Sequence, residues 1–183
     1  IISSLNVNEA QEFQRGVDPK SSMIIGKKAM IEKWLKEQDL FEDTFITKDL
    51  RINTAKDVQL VIRLKDIGES LPEYIKFGTV IGGFDIQKNN LKTLRGCPDR
   101  VVGSNNLKGN FKCNNNQLTS LEGGPKHVYG NYICHDNPGN FSQKDIRKVC
   151  KVEGSAWGDE KILEGMEFQR TGDPLNTMNL GYE

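Results

Sequence analysis

The chain has 183 residues, 25 of them Lys or Arg and 25 Asp or Glu, so its formal net charge is zero. A balanced charge provides no field to steer the protein to nucleic acid or to an anionic membrane, and both are set aside as partners. No apolar run reaches the roughly 18 residues that a membrane-spanning helix requires, and the length suits one domain with appendages.

Residues 1–26 read as an N-terminal arm. Within it, residues 12–26 (EFQRGVDPKSSMIIG) recur near the other end as residues 167–181 (EFQRTGDPLNTMNLG), with eight of fifteen positions identical. Asp18 and Asp173 are placed as helix N-caps, Pro19 and Pro174 suit the first helical position, and Gly26 and Gly181 are expected to stop the turn. Met23 with Ile25, and Met178 with Leu180, remain as apolar contacts. A helix so short does not stand alone in water, so each copy must dock on this protein or on another chain. As a docking motif, its anchors are Phe13 and Phe168, with Arg15 and Arg170 beside them.

Residues 27–79 are expected to form an αββ cap. Lys27–Gln38 carries Met30, Ile31, Trp34 and Leu35 at helical spacing, which predicts a short helix with one apolar stripe. Leu50 and Ile52, then Val58, Leu60, Ile62 and Leu64, alternate with polar residues on either side of the turn at 53–57, which predicts two strands.

Residues 80–140 write one phrase three times: Val80-x-Gly82-x-Phe84-x-Ile86-x-x-Asn89, Leu107-x-Gly109-x-Phe111-x-Cys113-x-x-Asn116 and Val128-x-Gly130-x-Tyr132-x-Cys134-x-x-Asn137. The spacing falls within the roughly 20 to 29 residues of a leucine-rich repeat. Leu91 and Leu94, then Leu118 and Leu121, follow the first two Asn residues, and Gly96-Cys97-Pro98 and Gly123-Gly124-Pro125 turn the chain back. Such units cannot bury an apolar face alone and must stack. The alternation points Phe84, Ile86, Phe111, Cys113, Tyr132 and Cys134 inward and sets the three aromatics in one internal column. Each Asn leaves its strand at a bend, where its amide can bond to backbone groups of its own and the neighbouring turn. Asn137-Pro138 lacks the following leucines, so the solenoid is expected to end after three rungs.

Residues 141–152 are expected to close that end. Ser142 is an N-cap with Asp145 three residues on, Phe141 and Ile146 form a hydrophobic staple, and Ile146, Val149 and Cys150 give the helix its apolar face. Residues 153–183 form a C-terminal arm with the second motif copy. The predicted fold is therefore α+β: a short leucine-rich-repeat-like β-solenoid of about three rungs between an N-terminal helix and strand-pair cap and a C-terminal capping helix, with extended termini.

The four cysteines lack the paired spacing of a zinc site or a redox motif, and Cys113 and Cys134 on adjacent rungs read as small reduced core residues. The two histidines, His127 and His135, fall at different registers and no nucleophile or carboxylate constellation accompanies them. There is no P-loop and no dinucleotide fingerprint, so neither an enzymatic activity, a metal nor a cofactor is expected.

The residues from Glu73 to Asn137, with Lys76-Phe77-Gly78-x-Val80-x-Gly82-x-Phe84, Leu118-Thr119-Ser120-Leu121-Glu122-Gly123-Gly124-Pro125 and the Phe-Ser-x-x-Asp-Ile-Arg ending at 141–147, resemble the leucine-rich-repeat-like proteins of large tailed bacteriophages. The resemblance covers roughly residues 27–152 and implies no catalytic residues. The six extra residues near Val102–Leu107 depart from the family's usual step. Tags similar to the duplicated motif sit near the ends of other large-phage proteins, and residues 5–10 resemble the end of a leader trimmed after a glutamate during packaging into heads. The resemblance implies a virion component that binds other virion proteins of the capsid or tail. The alternative is a soluble protein in the host cytoplasm during infection. It would block a host or defence protein through Asp85, Gln87, Lys112, Asn114, Ile133 and His135 on the exposed strand face.

Overall fold

In the computed structural model, residues 19–55 and 60–159 are described. The first element, α1 (Pro19–Glu37), is one continuous helix. The expected stop at Gly26 does not occur. A glycine ends a helix by taking the left-handed conformation, whereas Gly26 is absent from the positive-φ residues. The helix formers that follow it, with i,i+4 pairs Lys28–Glu32 and Lys33–Glu37, carry the helix through. The stop comes at Asp39 (φ 57°), where Leu40 N–H bonds Leu35 C=O and Asp39 N–H bonds Lys36 C=O in a Schellman arrangement. Ile31, Trp34 and Leu35 are buried as the spacing predicts, but Met30 is 49% exposed. Only the C-terminal half of the helix meets the body, along a stripe too narrow to include Met30.

Two short strands follow, β1 (Thr44–Ile46) and β2 (Ile52–Thr54), paired antiparallel. The expected pair was Leu50–Ile52 with Val58–Leu64. Instead Leu50 is a left-handed turn residue (φ 61°), and β3 (Leu60–Arg63) joins the solenoid in parallel with β4 (Thr79–Asp85). The alternating pattern of residues 60–64 fits a rung as well as a hairpin arm, and the apolar Phe84 beside Ile62 decides between them.

The solenoid then runs through β5 (Arg100–Val102), β6 (Asn110–Lys112), β7 (His127–Val128), β8 (Tyr132–Ile133), the helix α2 (Gln143–Val149), β9 (Lys151–Val152) and β10 (Ala156–Trp157). All solenoid pairs are parallel and fall into two ladders that share β4: β3, β4, β6, β8 and β10 in one, and β4, β5, β7 and β9 in the other. The coil has about four turns, not three. The extra strands come from degenerate copies of the phrase. Leu60-x-Ile62-x-Leu64 lacks both glycine and aromatic, and Val152-x-Gly154-x-Ala156 replaces the aromatic with Ala156, which pairs with Tyr132.

One register differs from the sequence reading. Val80, Val101, Val128 and Val152 form the internal valine column, so Val101 and not Leu107 is the counterpart of Val80. The six additional residues form a loop between β5 and β6, closed by a 2.8 Å bond from Ser104 N–H to Leu107 C=O. At the corner where β4 passes from one ladder to the other, Gly82 has φ 115°, and a Cβ there would run into the Leu60 carbonyl oxygen. That close backbone approach is why each good copy of the phrase holds glycine at its third position.

Inside, Trp34, Phe77, Phe84, Phe111 and Tyr132 stack in one column with successive ring centroids 6.2, 5.0, 6.0 and 4.9 Å apart. The three predicted aromatics are therefore the last three members of a five-ring stack whose first member is supplied by α1. Offset or edge contacts of this kind add about 0.5–1.5 kcal/mol per pair to the burial of each ring.

The asparagines act as the bends require. Asn116 Nδ2 donates to Ile86, Cys113 and Asn114 carbonyls while its Oδ1 accepts from Leu91 N–H. Asn137 repeats this with Cys113, Cys134, His135 and Leu118, and Asn89 with Leu64, Ile86, Gln87 and Ile67. Each amide thus ties its own bend to the previous rung and to the chain leaving that previous rung.

α2 has the predicted capping box: Ser142 Oγ accepts from Asp145 N–H, and Asp145 Oδ2 accepts from Ser142 N–H. Ile146 and Cys150 are buried, but Val149 is 41% exposed, because two turns of helix present only a narrow stripe to the core. The helix is not the end of the coil, since β9 and β10 add a further rung after it.

Candidate protein-binding surfaces

Of the duplicated motif, Phe13, Arg15, Asp18, Phe168, Arg170, Asp173, Pro174 and Met178 lie outside the described residues. Pro19 opens α1 and Met23 lies on its exposed half. Every residue from 19 to 30 is exposed, including Met23 (58%), Ile24 (47%) and Ile25 (65%). Three consecutive large apolar side chains, within one turn of a helix that leaves the body, are therefore without a partner inside the described fold. Helices are ordinarily stabilised by packing an apolar face, which this half lacks.

The second surface is the outer face of the ladder that contains β3, β4, β6, β8 and β10. Its central column runs Arg63, Asp85, Lys112, Ile133 and Trp157, with Gln87, Asn114 and His135 just beyond the strand ends. Six residues were expected here as an exposed face, and two of them, Asp85 and Asn114, are buried. Short polar side chains lie between rungs only about 4.8 Å away and turn into bonds with their neighbours. Asp85 accepts from the Gln87 backbone N–H and from Gln87 Nε2, both at 3.2 Å, and Asn114 Nδ2 donates to Gln87 Oε1 and Asn115 Oδ1. Gln87, Lys112, Ile133 and His135 are half-buried. His135 Nδ1 lies 2.7 Å from Asp136 Oδ2, whose carboxylate also accepts from Asn115 Nδ2.

The same face holds a pocket of about 110 Å³ between β3, β4, β6 and the loop of 103–109. Two departures from the period make it. Gly109-Asn110 and Gly130-Asn131 carry an asparagine after the corner glycine, and the matching position in β4 is Gly83, so the floor lacks a side chain. The inserted loop then brings Leu107 and Lys108 over that gap. The sequence reading missed Val61, Arg63, Gly83, Lys108 and Asn110. The usable signal was the change from Gly-Asn to Gly-Gly next to an insertion.

On the other ladder, His127 stacks on Tyr129 with centroids 4.3 Å apart and places Nε2 2.9 Å from Glu153. Lys151 Nζ lies 2.6 Å from the same carboxylate, and Arg100 donates to Tyr129 Oη. The Lys151 ammonium first, and His127 second, hold the Glu153 carboxyl below the usual carboxylate range. Arg51 bridges Asp49 and Asp99 nearby.

All four cysteines are free and buried. Burial pushes the Cys97 and Cys113 thiols far up, and Cys150 up to about 11. Among the described residues no three His, Cys, Asp or Glu side chains converge as a metal site, and no helix is long and apolar enough to cross a membrane.

No protein-family model matches the chain, and neither a curated protein nor a solved structure matches it significantly.

Proposed function

We propose that this protein is a non-enzymatic component of a phage virion, held to other virion proteins of the head or tail by the two copies of its terminal motif. The observation that carries the reading is the exposed first half of α1, where Met23, Ile24 and Ile25 of one motif copy lie open on a helix that leaves the body. A second copy at 167–181 fits binding to a lattice of repeated sites. There, two weak contacts reinforce each other through effective concentration. The solenoid supplies the rigid body that separates the two copies in the chain.

Mass spectrometry of purified particles tests this directly, and absence of the protein from them would sink it. A finer test deletes residues 167–181. Incorporation into particles is expected to fall, and unchanged incorporation would remove the motif's role.

The pocket and half-buried polar face support one alternative, a soluble protein that binds and blocks a host or defence protein. Changing Lys112 and His135 together to Glu is then expected to abolish host binding while the fold persists, as read by circular dichroism.

A further inference from the structure

We propose that the pocket beside Gly83 is a carboxylate-binding subsite, which takes the side chain of an acidic residue on a protein partner. Three cations line it: Arg63 from β3, Lys108 from the inserted loop and Lys112 from β6. None of them makes an ion pair among the described residues. The single carboxylate in the lining, Asp85, is buried, is engaged by Gln87 and makes no ion pair among the described residues, and it offsets only one of the three charges, so the recess keeps an excess of positive charge. Three like charges held around one recess repel one another, and an anion between them relieves that repulsion.

A neutral donor points to the same chemistry. Asn110 Oδ1 accepts from Asn131 N–H at 2.8 Å, which fixes the amide and leaves Nδ2 as a donor with no partner among the described residues. The walls select within the class of anions. Val61 and Leu107 are apolar, and Leu107 Cδ1 lies 3.1 Å from where a Cβ on Gly82 would stand. A carboxylate on a methylene arm satisfies both the cations and these walls, whereas phosphate has no apolar part to place against them.

The subsite does not rest on membership of a virion. Particle incorporation reads the terminal motifs and does not involve this pocket, so either proposal can fail while the other stands.

The test is a titration of the full chain followed by ¹H–¹⁵N NMR at the Gly83 backbone amide and the Asn110 side-chain amide. The probe is N-acetylglutamate α-amide, a glutamate residue with neutral ends. The controls are its glutamine counterpart and inorganic phosphate. Saturable shifts are expected with the glutamate probe, about tenfold weaker or absent with glutamine, and weakened about fivefold or more between 50 and 300 mM salt. Arg63→Gln with Lys112→Gln should raise Kd by about tenfold. Lys108→Gln, on an exposed loop, provides a second variant that leaves the rungs intact. No saturable shift, equal binding of the glutamine compound, or tighter binding of phosphate would overturn the assignment. So would an unchanged Kd in either variant at a wild-type melting temperature.

Discussion

Asn116 carries more of the solenoid than its size suggests. Its side chain satisfies three backbone carbonyls and one N–H inside the coil, none of which water can reach. Asn116→Ala is expected to lower stability by about 2–4 kcal/mol, because it strands buried backbone groups, and urea unfolding reads the loss directly. The residue before each bend asparagine is left-handed: Lys88 (φ 55°), Asn115 (54°) and Asp136 (56°), with Asp66 (55°) at the same place in the first turn. Asn and Asp tolerate this conformation, whereas Lys does so at a cost. Lys88→Gly relieves about 1–2 kcal/mol of strain against about 0.5–1 kcal/mol of lost unfolded-state restriction. The expected result is a net gain of roughly 0.5–1 kcal/mol and a higher Tm. The asparagine ladder was legible from its spacing. The left-handed position was not, because Lys88 breaks the run of Asn and Asp residues that would have marked it.

At the scale of elements, the aromatic column joins helix to coil. Phe111 sits between Phe84 and Tyr132 with no exposure, so Phe111→Ala is expected to cost about 3–5 kcal/mol, measured by denaturant unfolding. By contrast, Met23→Ser with Ile25→Ser on the outer half of α1 removes no buried contact. Stability should change by less than about 0.5 kcal/mol while particle binding weakens, which separates a docking role from a folding role. The helix itself was legible from Ile31, Trp34 and Leu35, but its length was not. Gly26 is a stop signal only where the residues after it do not propagate a helix, and here they do.

For the whole molecule, stability should depend weakly on acid through Glu153. Its folded pKa is depressed by Lys151 and His127, so its contribution is present above the ordinary carboxylate pKa and fades as pH falls through the lowered folded value. Comparing Glu153→Gln with the parent by thermal melts should show a lower Tm at pH 7 and no difference near pH 2. The end rung also matters, since each turn of a solenoid is stabilised by its neighbours. Deleting residues 151–159 would uncover Val128 and Tyr132, and the expected readout is a lower unfolding midpoint with dye binding to the exposed core.

The repeated phrase was enough to dictate the parallel coil, its inward residues and its asparagine bends, because a period-two pattern that recurs roughly every 20 to 30 residues can bury its apolar side only by stacking. Tertiary structure alone decided how many turns there are. Leu60–Arg63 and Ala156–Trp157 lack the phrase, and they become rungs because Phe84 and Tyr132 need a neighbour on their open sides. The pocket was decided there too. Gly83 and the inserted loop are far apart in the chain, and only the stacking of β4 on β6 brings the missing side chain and the extra residues to one place.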